Sequence, residues 1–298
     1  FSLKNILSFT YALTATFIWG TAFIAQDQGM EHIGPLTFNG ARYFFGFLAL
    51  IGLAIVLEKN AAQEFRKNSR KIISEIFSIG CFLFLASILQ QYSLLYTGVA
   101  NSAFFTIFYI LFVPFIAFLF FSRTVHWSVW PAILTCLVGA YFLSNFSDAT
   151  VRLGDSMVLL GALFWGFHIV FISRVIRIFD FPLCVSAIQC LIVAIFSMVF
   201  GFIFETVSLE GIGLEINEIL YAGLLSSGLA FLLQIYAQRH ISPSSIAVIF
   251  SLEGVFATIA AWVILEQILG FYQIIGCFLI LVGVIIAQLT PLIFRSRT

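Results

Sequence analysis

The sequence predicts an all-α integral membrane protein of ten transmembrane helices, arranged as two inverted five-helix repeats with the N and C termini cytoplasmic. Three observations predict it. First, charge is scarce: 61% of the 298 residues are hydrophobic and 9% charged, with a mean hydropathy of +1.09. A water-soluble domain carries roughly 25% charged residues, so a chain this apolar fits lipid as its solvent. Second, the apolar residues fall into runs long enough to cross ~30 Å of hydrocarbon, which takes ~20 helical residues. Third, the basic residues gather on alternate connections between those runs.

Taken in order, the runs are 6–25, 36–57, 72–95, 98–121, 127–145, 155–173, 182–204, 216–237, 241–263 and 268–290. Each is expected to be helical, because lipid offers no partner to an unpaired backbone group. With the N-terminus in the cytoplasm, the inner side receives Lys4, Lys59, Arg66, Lys67, Arg70, Lys71, Arg123, Arg174, Arg177, Arg239, Arg295 and Arg297. The outer side receives only Arg152, and Arg42 lies within the second run. That distribution is a strong positive-inside signal, and a missed or invented span would scramble it. Acids lean outward (Asp27, Glu31, Asp148, Asp155, Glu205, Glu210, Glu215, Glu218 and Glu266), though acids set topology weakly. The inner connection 58–71 reads as a solvated loop, and the outer segment 205–218 as loop or amphipathic surface piece.

The two halves echo each other. Phe17-Ile18-Trp19-Gly20 in the first run is matched by Phe164-Trp165-Gly166 in the sixth, the Trp-Gly pairs offset by 146. Leu137-Val138-Gly139 is matched by Leu281-Val282-Gly283 at 144, and Gln91 by Gln234 at 143. Asn101-Ser102 opens the fourth run as Ser244-Ser245 opens the ninth. Five spans per copy is an odd number, so the second copy enters the membrane upside down. The repeats are expected at 1–145 and 146–298. Inverted repeats mark secondary transporters, whose substrates bind near the midplane between the copies.

At this point the chain resembles the drug/metabolite transporter superfamily, in its ten-span EamA branch. The residues that carry the resemblance are Trp19-Gly20, Asn39-Gly40-Ala41-Arg42-Tyr43-Phe44, Tyr96-Thr97-Gly98-Val99-Ala100-Asn101-Ser102-Ala103, and Ser251-Leu252-Glu253-Gly254-Val255-Phe256-Ala257 followed by Glu266 and Gly276…Gly283. The family usually has proline where Gly254 stands; the first repeat keeps one at Pro114. The acid matching Glu266 is also absent from the first repeat, which has Ser122-Arg123 there. The resemblance spans essentially the whole chain. It implies a carrier without ATP hydrolysis for amino acids or similar small metabolites, exporter or exchanger, in the inner membrane.

Ionisable groups within a span are functional candidates because they are expensive there. Arg42 lies ~9 Å below the outer face and Glu253 ~12 Å below it, at 1.5 Å per residue. Their similar depth and opposite charge predict an intramembrane ion pair, direct or through neighbours. Trp19, Gln90, Gln91, Tyr92, Asn101, Trp165, His168, Gln234 and Tyr236 are the candidate substrate-binding residues. The two Trp can wall a pocket, with partners needed for their N–H groups. The Gln, Tyr and Asn side chains offer neutral hydrogen bonds that lipid cannot satisfy. His168 can exchange protons near neutral pH, against the plainer reading of a neutral packing histidine.

Other classes find no support. His32, His126, His168 and His240 are scattered, and the five cysteines form no CxxC pair, so no metal site, cofactor or disulfide is expected. No H-x-x-E-H, G-x-S-x-G or Walker A sequence occurs, so no enzyme is expected. Zero net charge gives no reason to expect nucleic acid. The expected partners are a small-molecule substrate and the lipid bilayer. Amino acids lead as cargo. A nucleobase- or nucleoside-like metabolite such as S-adenosylmethionine is the runner-up, and a channel or a non-transporting scaffold the further alternative.

Overall fold

A computed structural model describes residues 3–67, 69–122, 125–143, 153–264, 266 and 268–294, with side chains as far as 288. Five charges used to orient the chain (Arg123, Asp148, Arg152, Arg295, Arg297) and the expected repeat boundary at 145/146 lie outside the described residues.

The described residues are helical, without strands. The long helices are α1 (Leu3–Gln28), α2 (Pro35–Leu57), α3 (Ser69–Ser93), α4 (Val99–Phe121), α5 (Val129–Leu143), α6 (Leu153–Ile178), α7 (Pro182–Phe204), α8 (Ile216–Gln238), α9 (Pro243–Ile264) and α10 (Phe271–Phe294). They fall on the ten apolar runs of the sequence. Among the described residues nine are long and apolar enough to cross a membrane; α5, at 15 residues, is the shorter one. At 1.5 Å per residue α5 measures ~22 Å. The connection 58–71 holds a short helix, Ala61–Lys67, and 205–218 holds Leu209–Leu214.

Local chemistry sets the ends. Pro35, Pro182 and Pro243 open α2, α7 and α9, where a missing N–H is no loss. The Ser242 hydroxyl caps α9 by accepting from Ser245 N–H at 3.2 Å. Helices α2 and α7 also cap each other. The Glu58 carboxylate, at the C-terminus of α2, accepts from Leu183 N–H (3.0 Å) and Cys184 N–H (2.8 Å) in the first turn of α7. The Glu205 carboxylate, at the C-terminus of α7, accepts from Leu36 N–H (2.8 Å) and from Thr37 N–H and hydroxyl (2.8 Å each) in the first turn of α2. Each carboxylate satisfies orphan amides at the positive end of the other helix's dipole.

Both α4 and α9 are interrupted. The α4 helix breaks at Ile107 and Phe108, between Val99–Thr106 and Tyr109–Phe121; α9 breaks at Ser251, between Pro243–Phe250 and Leu252–Ile264. At each break the backbone tightens to i→i+3 bonds. Ile110 N–H donates to Ile107 O (3.0 Å), and Gly254 N–H to Ser251 O (3.3 Å). Hydroxyls help bend the chain: Thr106 donates to Ser102 O (2.8 Å) and Ser251 to Val248 O (2.6 Å). In α8, Tyr221–Ala230 is wound as a π-helix.

Packing follows a rule. Helix α2 lies along α7 and α5 along α10; α3 packs on α6 and α7; α4 packs on α6; α1 packs on α8 and α9; and α8 packs on α2. Exchanging every helix with the one five places later returns the same set of pairs. Small residues permit the tightest seam: a Cβ on Gly276 of α10 would stand 2.5 Å from the Gly139 carbonyl of α5. The outward faces carry large apolar side chains, among them Leu119, Phe202, Phe204, Val263 and Phe278, each more than half exposed. Such faces suit lipid and not water. The chain is a multi-pass membrane protein.

Candidate functional site

The interior of the bundle holds a cavity lined from α1, α2, α3, α4, α6, α8 and α9. The broken helices contribute on both sides of their breaks, Thr106 and Tyr109 from α4 and Phe250 and Glu253 from α9. The register repeats at 144 residues for both pairs. The same offset relates Gln90 to Gln234, and 146 relates Trp19 to Trp165 and Phe23 to Ile169; all six line the cavity. Ten of the fifteen lining residues therefore fall into five pairs at offsets of 144 or 146.

Its walls are aromatic. Phe231 sits at the centre, with Trp19 at 5.1 Å, Tyr43 at 6.1 Å and Trp165 at 5.9 Å, nearly parallel at 14°. Trp19 also meets Phe250 edge-on at 5.0 Å. The Trp19 indole N–H donates to Ser226 O at 3.2 Å, within the π-helical stretch of α8; the Trp165 N–H has no protein partner. Gly20 explains the Trp-Gly pairing on α1: a Cβ there would stand 2.7 Å from the Glu253 carbonyl, so only glycine lets α1 approach α9 beside the cavity.

Neutral polar groups complete the lining. Gln90 Nε2 donates to the Thr106 hydroxyl (2.9 Å), and Gln234 Nε2 to Gln238 Oε1 (3.0 Å). Gln238 ties α8 to α6 by donating to Ile169 O (2.7 Å) and the Ser173 hydroxyl (2.9 Å).

Two ionisable residues face this space. Arg42 is buried, with Nε and Nη2 donating to Asn39 Oδ1 (3.1 and 2.9 Å) and the guanidinium 4.9 Å from the Tyr43 ring centroid. Asn39 is oriented in turn by donating to the Ser197 hydroxyl (2.9 Å) and the Ser87 hydroxyl (3.2 Å). Glu253 is buried, and its Oε1 has no hydrogen-bond partner; the Tyr109 hydroxyl lies beside it without closing a bond of regular geometry. Of the pairing expected between Arg42 and Glu253, direct or through neighbours, the direct form is not made: among the described residues no acid lies within 4.0 Å of Arg42 and no base within 4.0 Å of Glu253. The physical reason is local. Asn39, one turn before Arg42 on α2, holds the guanidinium, while α9 presents Glu253 at its own break.

Of the sequence candidates, Trp19, Gln90, Trp165, Gln234, Arg42 and Glu253 meet in this cavity. Gln91, Tyr92, Asn101, His168 and Tyr236 do not line it. Gln91 Nε2 instead ties α3 to the end of α1, donating to Gln26 O at 2.8 Å. Tyr92 donates to Glu205 Oε1 at 3.3 Å, joining the cap of α2. Asn101 lies half-buried at the start of α4. His168 packs behind the aromatic wall, with Nε2 on Gln189 Oε1 at 3.0 Å. Tyr236 turns to Tyr11 and Arg239. Phe231, Phe250 and Tyr109 are not among the candidates that the sequence offers. The repeat offset carried to Glu253 and Gln234 would have found Tyr109 and preferred Gln90 over Gln91.

Similarity to known proteins agrees with this architecture. A family model described as the EamA-like transporter family matches twice, over residues 6–145 and 152–289. The chain is 31% identical over 272 residues to an uncharacterized transporter of Archaeoglobus fulgidus, covering 91% of this chain and 82% of that one. It is 26% identical over 286 residues to the uncharacterized transporter YoaV of Bacillus subtilis, covering 93% and 95%. A solved crystal structure with 18% sequence identity superposes with a TM-score of 0.79, covering 98% of this chain and 99% of its own, and so shares the fold. These names point to a transporter rather than an enzyme. The chain belongs to the EamA-like transporter family.

Proposed function

We propose that the chain is a ten-span secondary carrier that moves small polar metabolites, amino acids foremost, across the inner membrane by alternating access, as an exporter or exchanger. Its two inverted repeats are 1–145 and 146–298, with both termini cytoplasmic. One observation carries the reading: a cavity inside the bundle takes paired positions from both halves, at breaks of equal register in α4 and α9. Interrupted helices in corresponding positions of two repeats are the sequence-level mark of a carrier's binding site. The aromatic walls suit the apolar part of a cargo, and Gln90, Gln234 and Thr106 its polar part. Neither a scaffold nor a pore lined by rings of like residues needs such a site. The pairing rule among the helices supports the repeats. The inner end supports the orientation: Arg174 pairs with Glu75 (2.5 Å) and Arg239 with Asp180 (2.8 Å), whereas outer Glu205 is met by neutral donors.

Reconstitution into liposomes tests the reading. Saturable uptake with counterflow is expected for an amino acid, weakened roughly tenfold or more in Trp165→Ala and Gln234→Ala. Uptake that neither saturates nor exchanges marks a channel, and none for any metabolite marks a scaffold. A nucleoside-like cargo, whose base would stack between Trp165 and Phe231, is separated by the same panel.

A further inference from the structure

The connection 58–71, expected as a solvated loop, is anchored to the bundle. Its helix Ala61–Lys67 turns Ala61 and Phe65 inward, one turn apart on one face, with the Phe65 ring 6.0 Å from that of Phe179. The other face opens a hollow lined by Lys59, Ala62, Gln63, Arg66 and Lys67. A second hollow, sharing Lys67, is lined by Ser69, Arg70, Lys71, Ser74 and Glu75. The acids of this region are already taken. Glu64 pairs with Lys67 (2.8 Å), Glu75 pairs with Arg174 (2.5 Å), and Glu58 caps α7. Lys59, Arg66, Arg70 and Lys71 are exposed, with no acid within 4.0 Å among the described residues. Helix stability does not call for them. Arg70 and Lys71 lie in the first turn of α3, which holds no acid, at the positive end of its dipole, where a cation is disfavoured. Orientation of the chain asks that bases lie inside, not that four of them share one surface. Apolar side chains border the cations: Val56 and Leu57 at the end of α2 and Ile73 on α3 are each more than half exposed. Ile73 follows Arg70 by three residues, ~4.5 Å along the helix. Acyl chains against the apolar border leave the bases at headgroup depth.

We propose that this surface binds the phosphate headgroup of an anionic phospholipid in the cytoplasmic leaflet, through Lys59 and Arg66 in one hollow and Arg70 and Lys71 in the other. A guanidinium meets phosphate oxygens through paired N–H donors. The Ser69 and Ser74 hydroxyls line the second hollow and can donate to the same group. Basic clusters immediately cytoplasmic of a membrane helix attract anionic lipid. A free phosphate would find the same bases, but only a phospholipid also uses the apolar border. The site lies apart from the central cavity and is additional to the carrier reading, which says nothing of lipid class.

The test uses purified full-length protein in neutral-detergent micelles, with dioleoylphosphatidylglycerol, dioleoylphosphatidylcholine and inorganic phosphate as probes. Ligand-induced thermal shifts give apparent affinities. Each base near an anionic headgroup is worth roughly fivefold in affinity, so the wild type is expected to prefer phosphatidylglycerol over phosphatidylcholine by about twentyfold or more. Inorganic phosphate at the same concentration should leave the melting temperature unchanged. Arg66→Gln and Arg70→Gln should each lower the lipid preference about fivefold and leave phosphatidylcholine binding as it is. Lys4→Gln, which removes a base from the same side of the membrane on α1, should leave the preference unchanged. Should either arginine variant fail to fold, Lys59→Gln and Lys71→Gln carry the same expectation. Equal binding of the two lipids by the wild type, a preference unmoved when Arg66→Gln and Arg70→Gln are combined, or an equal loss in Lys4→Gln overturns the proposal. Stabilisation by inorganic phosphate equal to that by phosphatidylglycerol would assign the surface to a soluble anion and overturn it as well. None of these outcomes touches the carrier reading, which stands or falls on cargo uptake.

Discussion

At the scale of single residues, neighbours on one helix do different work. Gln90 and Gln91 are adjacent in sequence, both buried, and point to different partners. Gln90 meets Thr106 at the cavity, and Gln91 joins α3 to the end of α1. Removing Gln90 should therefore cost binding and removing Gln91 stability. Gln90→Ala is expected to weaken cargo affinity by roughly 2- to 12-fold, the worth of one hydrogen bond, with little change in melting temperature. Gln91→Leu is expected to lower the melting temperature and leave affinity alone. Thermal shifts with and without cargo check both, and the opposite assignment would show the cavity drawn at the wrong register. The sequence alone could not separate the two, since both are polar residues in an apolar run. Arg42 and Glu253 were legible as intramembrane charges for the same physical reason that makes them rare, yet their relation was not. Depth along a helix axis says nothing about azimuth, and the residue that holds Arg42 is Asn39.

At the scale of elements, α2 and α7 are held together from both ends. Each begins with Pro-Leu and is followed 23 residues after the proline by the glutamate that caps the other. The caps lie at opposite ends of an antiparallel pair, far beyond the distance at which effects couple. Glu58→Ala and Glu205→Ala should each cost ~1–3 kcal/mol, because each leaves backbone donors unsatisfied, and the double variant should show the sum. Denaturant titration in detergent measures this; a double variant no worse than either single one would mean that the two caps act as one unit. Elements were otherwise the most readable level. Run boundaries and helix ends agree within about five residues, since run length and proline placement are local signals. The breaks in α4 and α9 were not read. Pro114, expected to mirror the position of Gly254, lies more than a turn and a half beyond the α4 break, and by the 144-residue offset Ile110 takes that place. The interruptions arise instead from hydroxyls turning back onto the chain and from packing against α1 and α6, which no period in the sequence records.

At the scale of the whole molecule, the proposed orientation puts the connection holding Ala61–Lys67 in the cytoplasm and the one holding Leu209–Leu214 outside. With the native cysteines replaced, Arg66→Cys should react with a membrane-impermeant maleimide only from the cytoplasmic face, and Glu210→Cys only from the outer face. Labelling with the faces exchanged would invert the carrier; labelling of both from one face would break the expected alternation of spans.

What the sequence by itself determined is what depends on composition and on order along the chain. The lipid environment follows from scarce charge, the helices from apolar run length, and the family from motifs kept in order. What only the tertiary structure decided is azimuth and distance. It showed which side of each helix faces inward, that six polar, aromatic and ionisable candidates share one cavity while the other five lie away from it, and that Arg42 and Glu253 face the same space without a direct ion pair among the described residues. The reason is geometric. A run of twenty apolar residues buries its backbone equally well at any rotation about its axis, so the rotation is fixed only when the neighbouring helices pack.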